Sequence, residues 1–163
     1  MNHILIQCHE QAVGQIWQHA LDLWPYEDLR WPEISLGIVL GCGSVTPPVP
    51  QVPNQQRPPK HRGSVRLLQI LISEAAHLIW VLRCERVIRE KTHTANEIKG
   101  RWLMVINRRL TEDRMIAIKI KRDRFHLQRL ENTWEAVLSK DGDLPPQWTH
   151  QEEVLVGTRA RGT

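Results

Sequence analysis

Apolar residues recur every three or four positions along most of this chain, the spacing that paints one face of an α-helix. Between His9 and Trp24 they fall at Ala12, Val13, Ile16, Trp17, Ala20, Leu21 and Trp24, and Pro25 ends the run. The stretch from Ile34 to Gly43 is short and apolar, with Ser35 placed to cap it. It predicts a short helix, although its glycines and β-branched residues would also suit a strand. Six prolines crowd the span between Gly43 and Gly63, which reads as a linker or surface loop rich in polyproline II geometry. The same composition would suit an SH3-type ligand, but a linker is the simpler reading. Ser64 opens the longest predicted helix, which extends to about Lys91. Leu67, Leu71, Leu78 and Leu82 follow one face of it, and Ile70, Ile72, Trp80, Cys84 and Val87 widen that face until most of the circumference is apolar. A helix of this kind, ~40 Å long, is expected to be central.

Thr94-Ala95-Asn96-Glu97 has the form of a capping box, in which the Thr hydroxyl accepts from the Glu97 amide and the Glu97 carboxylate accepts from the Thr94 N–H. The helix it starts carries Ile98, Trp102, Val105, Ile106 and Leu110 on one stripe. The pattern leaves open whether Thr111 to Arg114 breaks this helix or lets it run on through Ile120. A last helix is predicted from about Phe125 to Lys140, ended by Asp141-Gly142-Asp143 and Pro145-Pro146. Trp148 and Val154-Leu155-Val156 are expected to tuck back against the bundle. The fold class expected is all-α: an irregular bundle of four to five helices with a Pro-rich loop between the second and third. The chain divides into an N-terminal helical segment (1–43), the Pro-rich linker (44–63), the main bundle (64–148) and a C-terminal tail (149–163).

Composition narrows the class. Seven Trp stand against one Phe and one Tyr, spread along the chain as core anchors for separate segments would be. Three Cys with no repeated spacing, and no cleavable leader, point to a reducing, intracellular compartment, cytoplasmic or nuclear. The most apolar stretch, Leu67 to Leu82, is interrupted by Gln69, Ser73, Glu74 and His77, so no membrane span is expected. The net charge of +4 conceals a segregation: residues 60–129 hold 17 Lys+Arg against 7 Asp+Glu, whereas the segments on either side are each mildly acidic. A basic middle suggests an anionic partner, RNA or DNA first.

Candidate chemistry is sparse. There is no Gly-rich phosphate loop, nucleophile elbow, His-Glu-x-x-His motif or acidic cluster, and the chain is not expected to be an enzyme. Glu74 and His77, and Cys84 and Glu85, read as neighbours on a helix rather than as dyads. Lys99, Arg101, Arg108, Arg109, Lys119, Lys121, Arg122 and Arg124, with Arg114 and Arg129 among them, are candidates for phosphate contact. The competing reading is a solvated outer face. His3 and Cys8 have the spacing of the back half of a zinc knuckle, two ligands of the four a tetrahedral site needs. No cofactor is therefore expected, and zinc only where the other half is supplied elsewhere.

Taken in order, "NHILIQC", "QIWQHALDLWP", "LGCG", "RLLQILISEAAHLIWVLRCERVIREK", "RWLMVINRRLTEDR" and "TWEAVLSKDGDLPPQWTHQEEVLVG" resemble the extreme C-terminal region of polyproteins from fungal non-LTR (LINE-like) retrotransposons. The resemblance covers nearly the whole chain. In that family an endonuclease, a reverse transcriptase and often an RNase H domain come first, and a Cys/His knuckle leads into the tail. The resemblance implies that His3 and Cys8 match the last two knuckle ligands, the Cys pair before them having been cut away by a start codon inside the element. It implies that no catalytic residue carries over. The expectation is a non-catalytic remnant of the reverse transcriptase polyprotein that contacts RNA or DNA phosphates through a basic helix. The alternative is a helical protein–protein or self-association module, a homo-oligomer built on the apolar helix from Ser64 to Lys91.

Overall fold

In the computed structural model, which describes residues 11–48, 62–120 and 124–157, every regular element is helical. Five α-helices follow one another: α1 (Gln11–Asp22), α2 (Leu36–Leu40), α3 (Ser64–Arg89), α4 (Ala95–Lys119) and α5 (Arg124–Leu138). Single 3-10 turns follow at Cys42–Ser44, Ser139–Asp141 and Trp148–His150. The protein is an all-α irregular bundle, as the periodicity predicts. Ser35 caps α2, its hydroxyl accepting from the Ile38 amide at 3.3 Å, so the Ile34 to Gly43 stretch is helical rather than extended. Most of the Pro-rich span, together with the His3 and Cys8 pair, lies outside the described residues.

α3 is central over its first turns only. Leu67, Leu68, Ile70, Leu71 and Ile72 are all buried, which requires neighbours on every side: α1, α4, α5 and the α2 region all pack against this helix. Each such side chain removed from water contributes about 2 kcal/mol. Beyond Ala75 only one face stays covered, through Leu78, Ile79 and Leu82, while Trp80, Val87 and Ile88 stand 45%, 62% and 77% exposed. Trp80 thus departs from the expectation that each Trp anchors the core. Trp24, Trp102, Trp134 and Trp148 meet it. By length and composition α3 could cross a membrane, with a mean hydropathy of 1.6 over its most apolar window, but half of that window is buried inside the protein as in a core helix.

The junction to α4 follows the sequence signal. Thr94 accepts from the Glu97 amide at 3.3 Å, and its own N–H donates to the Glu97 carboxylate at 2.7 Å. α4 then runs without a break through residues 111–114, because Asp113 and Arg114 turn inward, where partners await them, and Ala117 continues the buried stripe. The C-terminal segment folds back as expected. Asn107 brackets Val156, accepting from its N–H at 2.8 Å and donating to its carbonyl at 3.1 Å, and Trp148, Val154 and Val156 are buried.

Candidate nucleic-acid interface

The basic residues predicted along α4 do not share one face. Lys99 and Arg108 stand about two and a half turns apart and so point in opposite directions. Lys99, Arg108 and Lys119 are exposed, Arg108 with its Nε 3.7 Å from Glu112, and Arg124 is exposed at the start of α5. Lys121 and Arg122 lie outside the described residues.

Three of the other arginines are engaged inside the protein. Arg101 grips the Glu85 carboxylate with both terminal nitrogens, at 2.5 and 2.8 Å, and the His93 ring nitrogen sits 2.6 Å from the same carboxylate. The Arg101 hydrogen bonds hold the Glu85 carboxyl down at about 2; burial opposes them and His93 adds to the lowering. Arg109 lies 4.0 Å from Glu74 and 3.8 Å from Asp113. Arg114 is buried, with its guanidinium 5.6 Å from the Trp148 ring centroid and a hydrogen bond to the Val154 carbonyl. Desolvation pushes its pKa below the ordinary value, and Glu152 opposes this. These arginines are matched by partners within the protein, and Arg114 is buried, whereas Arg101 and Arg109 stay partly exposed.

Three exposed arginines, Arg62, Arg124 and Arg129, lie instead near where the start of α3 meets α5. A groove of about 340 Å³ opens there, lined by Arg62, Gln69, Phe125, Gln128, Arg129 and Asn132 among others. Among the described residues its lining includes no carboxylate. Arg62 and Arg129 are exposed beside it, and Arg124 immediately precedes Phe125. The third lining arginine, Arg66, is not available, since it forms a two-pronged pair with Asp113 at 2.7 and 2.8 Å. The α3 N-terminus has neither a capping side chain nor an acidic residue in its first turn, so its helix dipole adds positive potential at this end of the groove.

Phe125 is 62% exposed and meets His126 edge to face at 5.7 Å. It stands on the side of α5 opposite Leu130, Trp134 and Val137, and that placement was legible in the sequence as an aromatic residue off the apolar stripe. Gly63 lets the two helices meet: a Cβ there would lie 1.7 Å from the Asn132 carbonyl oxygen. Any larger residue would wedge α3 away from α5 and reshape the groove. The amides of Gln69 on α3 and of Gln128 and Asn132 on α5 bring donors and acceptors to the groove, although Gln69 also donates to the Gly43 carbonyl at 2.9 Å and so holds the α2 region in place.

Cys42 and Cys84 are unpaired thiols, and among the described residues no group of three or more His, Cys, Asp and Glu side chains is arranged to share a metal ion. No protein-family model, curated protein or solved structure matches this chain.

Proposed function

We propose that this chain is a non-catalytic nucleic-acid-binding bundle that holds a single strand of RNA or DNA across the groove between α3 and α5. The reading accords with the resemblance to retrotransposon polyprotein tails, but it moves the contact from the α4 face to the α3–α5 end. The observation that carries it is a groove edged by exposed arginines, with no carboxylate among its described lining residues, and flanked by an exposed aromatic ring. Arg62, Arg124 and Arg129 neutralise phosphates, which supplies affinity without sequence preference. Phe125 offers a face on which a base stacks, a contact open to single strands and closed to a paired duplex.

Fluorescence anisotropy with a labelled single-stranded oligonucleotide tests this. Three phosphate contacts predict an affinity that falls roughly 20-fold between about 50 and 200 mM salt. Replacing Arg62, Arg124 and Arg129 together with Ala lowers the affinity and flattens the salt dependence. Phe125→Ala weakens binding by about 1–3 kcal/mol and leaves the salt dependence unchanged. Arg108→Ala leaves both unchanged. Absence of binding at low salt, or binding indifferent to salt, overturns the proposal.

A further inference from the structure

The outer face of α4 is the most regular feature that neither the core nor the groove uses. Met104, Arg108, Thr111, Met115 and Ile118 are spaced alternately four and three residues apart, the seam of a coiled coil. All five are exposed, with Met104 at 70%, Met115 at 49% and Ile118 at 40%. Opposite them on the same helix, Trp102, Ile106, Leu110, Asp113 and Ala117 face the protein's own core. The outer row is therefore a second stripe, apolar at Met104, Met115 and Ile118, on a helix whose first stripe is already satisfied. Its edge is charged: Glu112 and Lys119 lie alongside it, and Glu97 precedes it by two turns.

We infer that this face pairs with the same face of a second copy, the two α4 helices running antiparallel about a two-fold axis near Arg109 and Leu110. The charge pattern sets both the partner and the register. Turning the helix end for end about that point lays Met104 against the second copy's Met115, and Arg101 against the second copy's Ile118. It sets Arg108 beside the second copy's Thr111 and Glu112. Lys119 then lies nearly level with the second copy's Arg101, whose charge is already matched by Glu85, and within a turn of its Glu97. By symmetry each contact occurs twice, so a single surface is complementary to itself. Within one molecule Arg108 and Glu112 make only a long 3.7 Å contact with both side chains more than half exposed, which leaves them able to reach across. A parallel pairing would instead stack Arg108 on Arg108 and Glu112 on Glu112. Methionines at the two outer positions pack adaptably, and polar Arg108 and Thr111 at the middle of the seam penalise a slipped register. An antiparallel pair of helices is a small interface, so the dimer is expected to be weak, dissociating in the micromolar range.

Sedimentation velocity over a wide concentration range reads the outcome. The parent chain shifts from monomer to dimer as concentration rises. Arg108→Glu and Glu112→Arg each weaken the dimer about tenfold or more, because each substitution places like charges together at two symmetric sites. The double variant R108E/E112R recovers dimerisation, since the reversed pairs are again opposite. Both substituted positions lie on the surface, so unchanged circular dichroism separates loss of pairing from loss of fold. A monomer at every concentration overturns the proposal. So does a dimer indifferent to these substitutions, or one abolished by Trp80→Gln and Val87→Gln, which would place the interface on the exposed end of α3 instead.

Discussion

At the residue scale, the least exposed tryptophans differ in one respect that sequence does not reveal. Trp102 and Trp134 are both sealed in the core, at 1% and 0% exposure. The Trp134 indole donates to the Asp113 carboxylate at 2.8 Å, whereas the Trp102 indole nitrogen has no hydrogen-bond partner. Replacement by Phe removes similar volume from each site, but only at position 134 does it also break a bond to a buried carboxylate. Trp134→Phe is therefore expected to destabilise more than Trp102→Phe, by about 1–2 kcal/mol in urea unfolding. Equal losses, or the reverse order, would mean that the hydrogen bond contributes nothing net. The burial of both rings was readable from their place on apolar stripes. The bond was not, because Asp113 sits in a polar tetrapeptide that could as well have been a break, and its partners Arg66 and Trp134 are 47 and 21 residues away.

At the scale of elements, local signals were legible and bridges between helices were not. The capping box is complete within four residues, so its chemistry could be written down from sequence and the structure has it as written. The clasp beside it joins Glu85 near the end of α3 to Arg101 in α4, 16 residues on, with His93 in the connecting turn as the third member. In a linear reading Arg101 looked like one cation among many. The clasp has a pH consequence. In the folded state the Glu85 carboxyl is held at about 2, below its ordinary value of 4.5. Between those values the unfolded chain binds more protons than the folded one, so folding stability rises with pH across that window. The clasp therefore stabilises fully above about pH 5 and its contribution is lost as pH falls toward 2. Glu85→Gln is expected to remove this part of the acid sensitivity, measured as a shallower slope of unfolding free energy from pH 5 to pH 2.5. An unchanged slope would assign the acid sensitivity to other carboxylates, Glu97 first, whose pKa is lowered by its hydrogen bonds to Thr94.

At the scale of the whole molecule, composition suggested an N-terminal segment, a main bundle and a tail, while the packing draws on all three. Val13, Ile16 and Ala20 of α1 are buried, and α1 lies against both α3 and α4. Lys140, past the end of α5, donates to the carbonyls of Asp22 and Trp24 at 3.0 and 2.8 Å, which closes the end of α1 against the far end of the chain. Gln69 ties the α2 region to α3 in the same way. A proline-rich span marks where the sequence changes character but carries no information on whether the flanking helices share a core, because that depends on which apolar stripes face each other. If they share one, the segments have no separate stability, and unfolding followed by tryptophan fluorescence coincides with unfolding followed by helical circular dichroism. Ile16→Ala sharpens the test. It should lower stability by about 2–5 kcal/mol and move both transitions together, since the cavity opens between α1 and the central helices. Two separated transitions, with the first carrying only the helicity of α1 and α2, would show instead that the N-terminal helices dock on a bundle that stands without them.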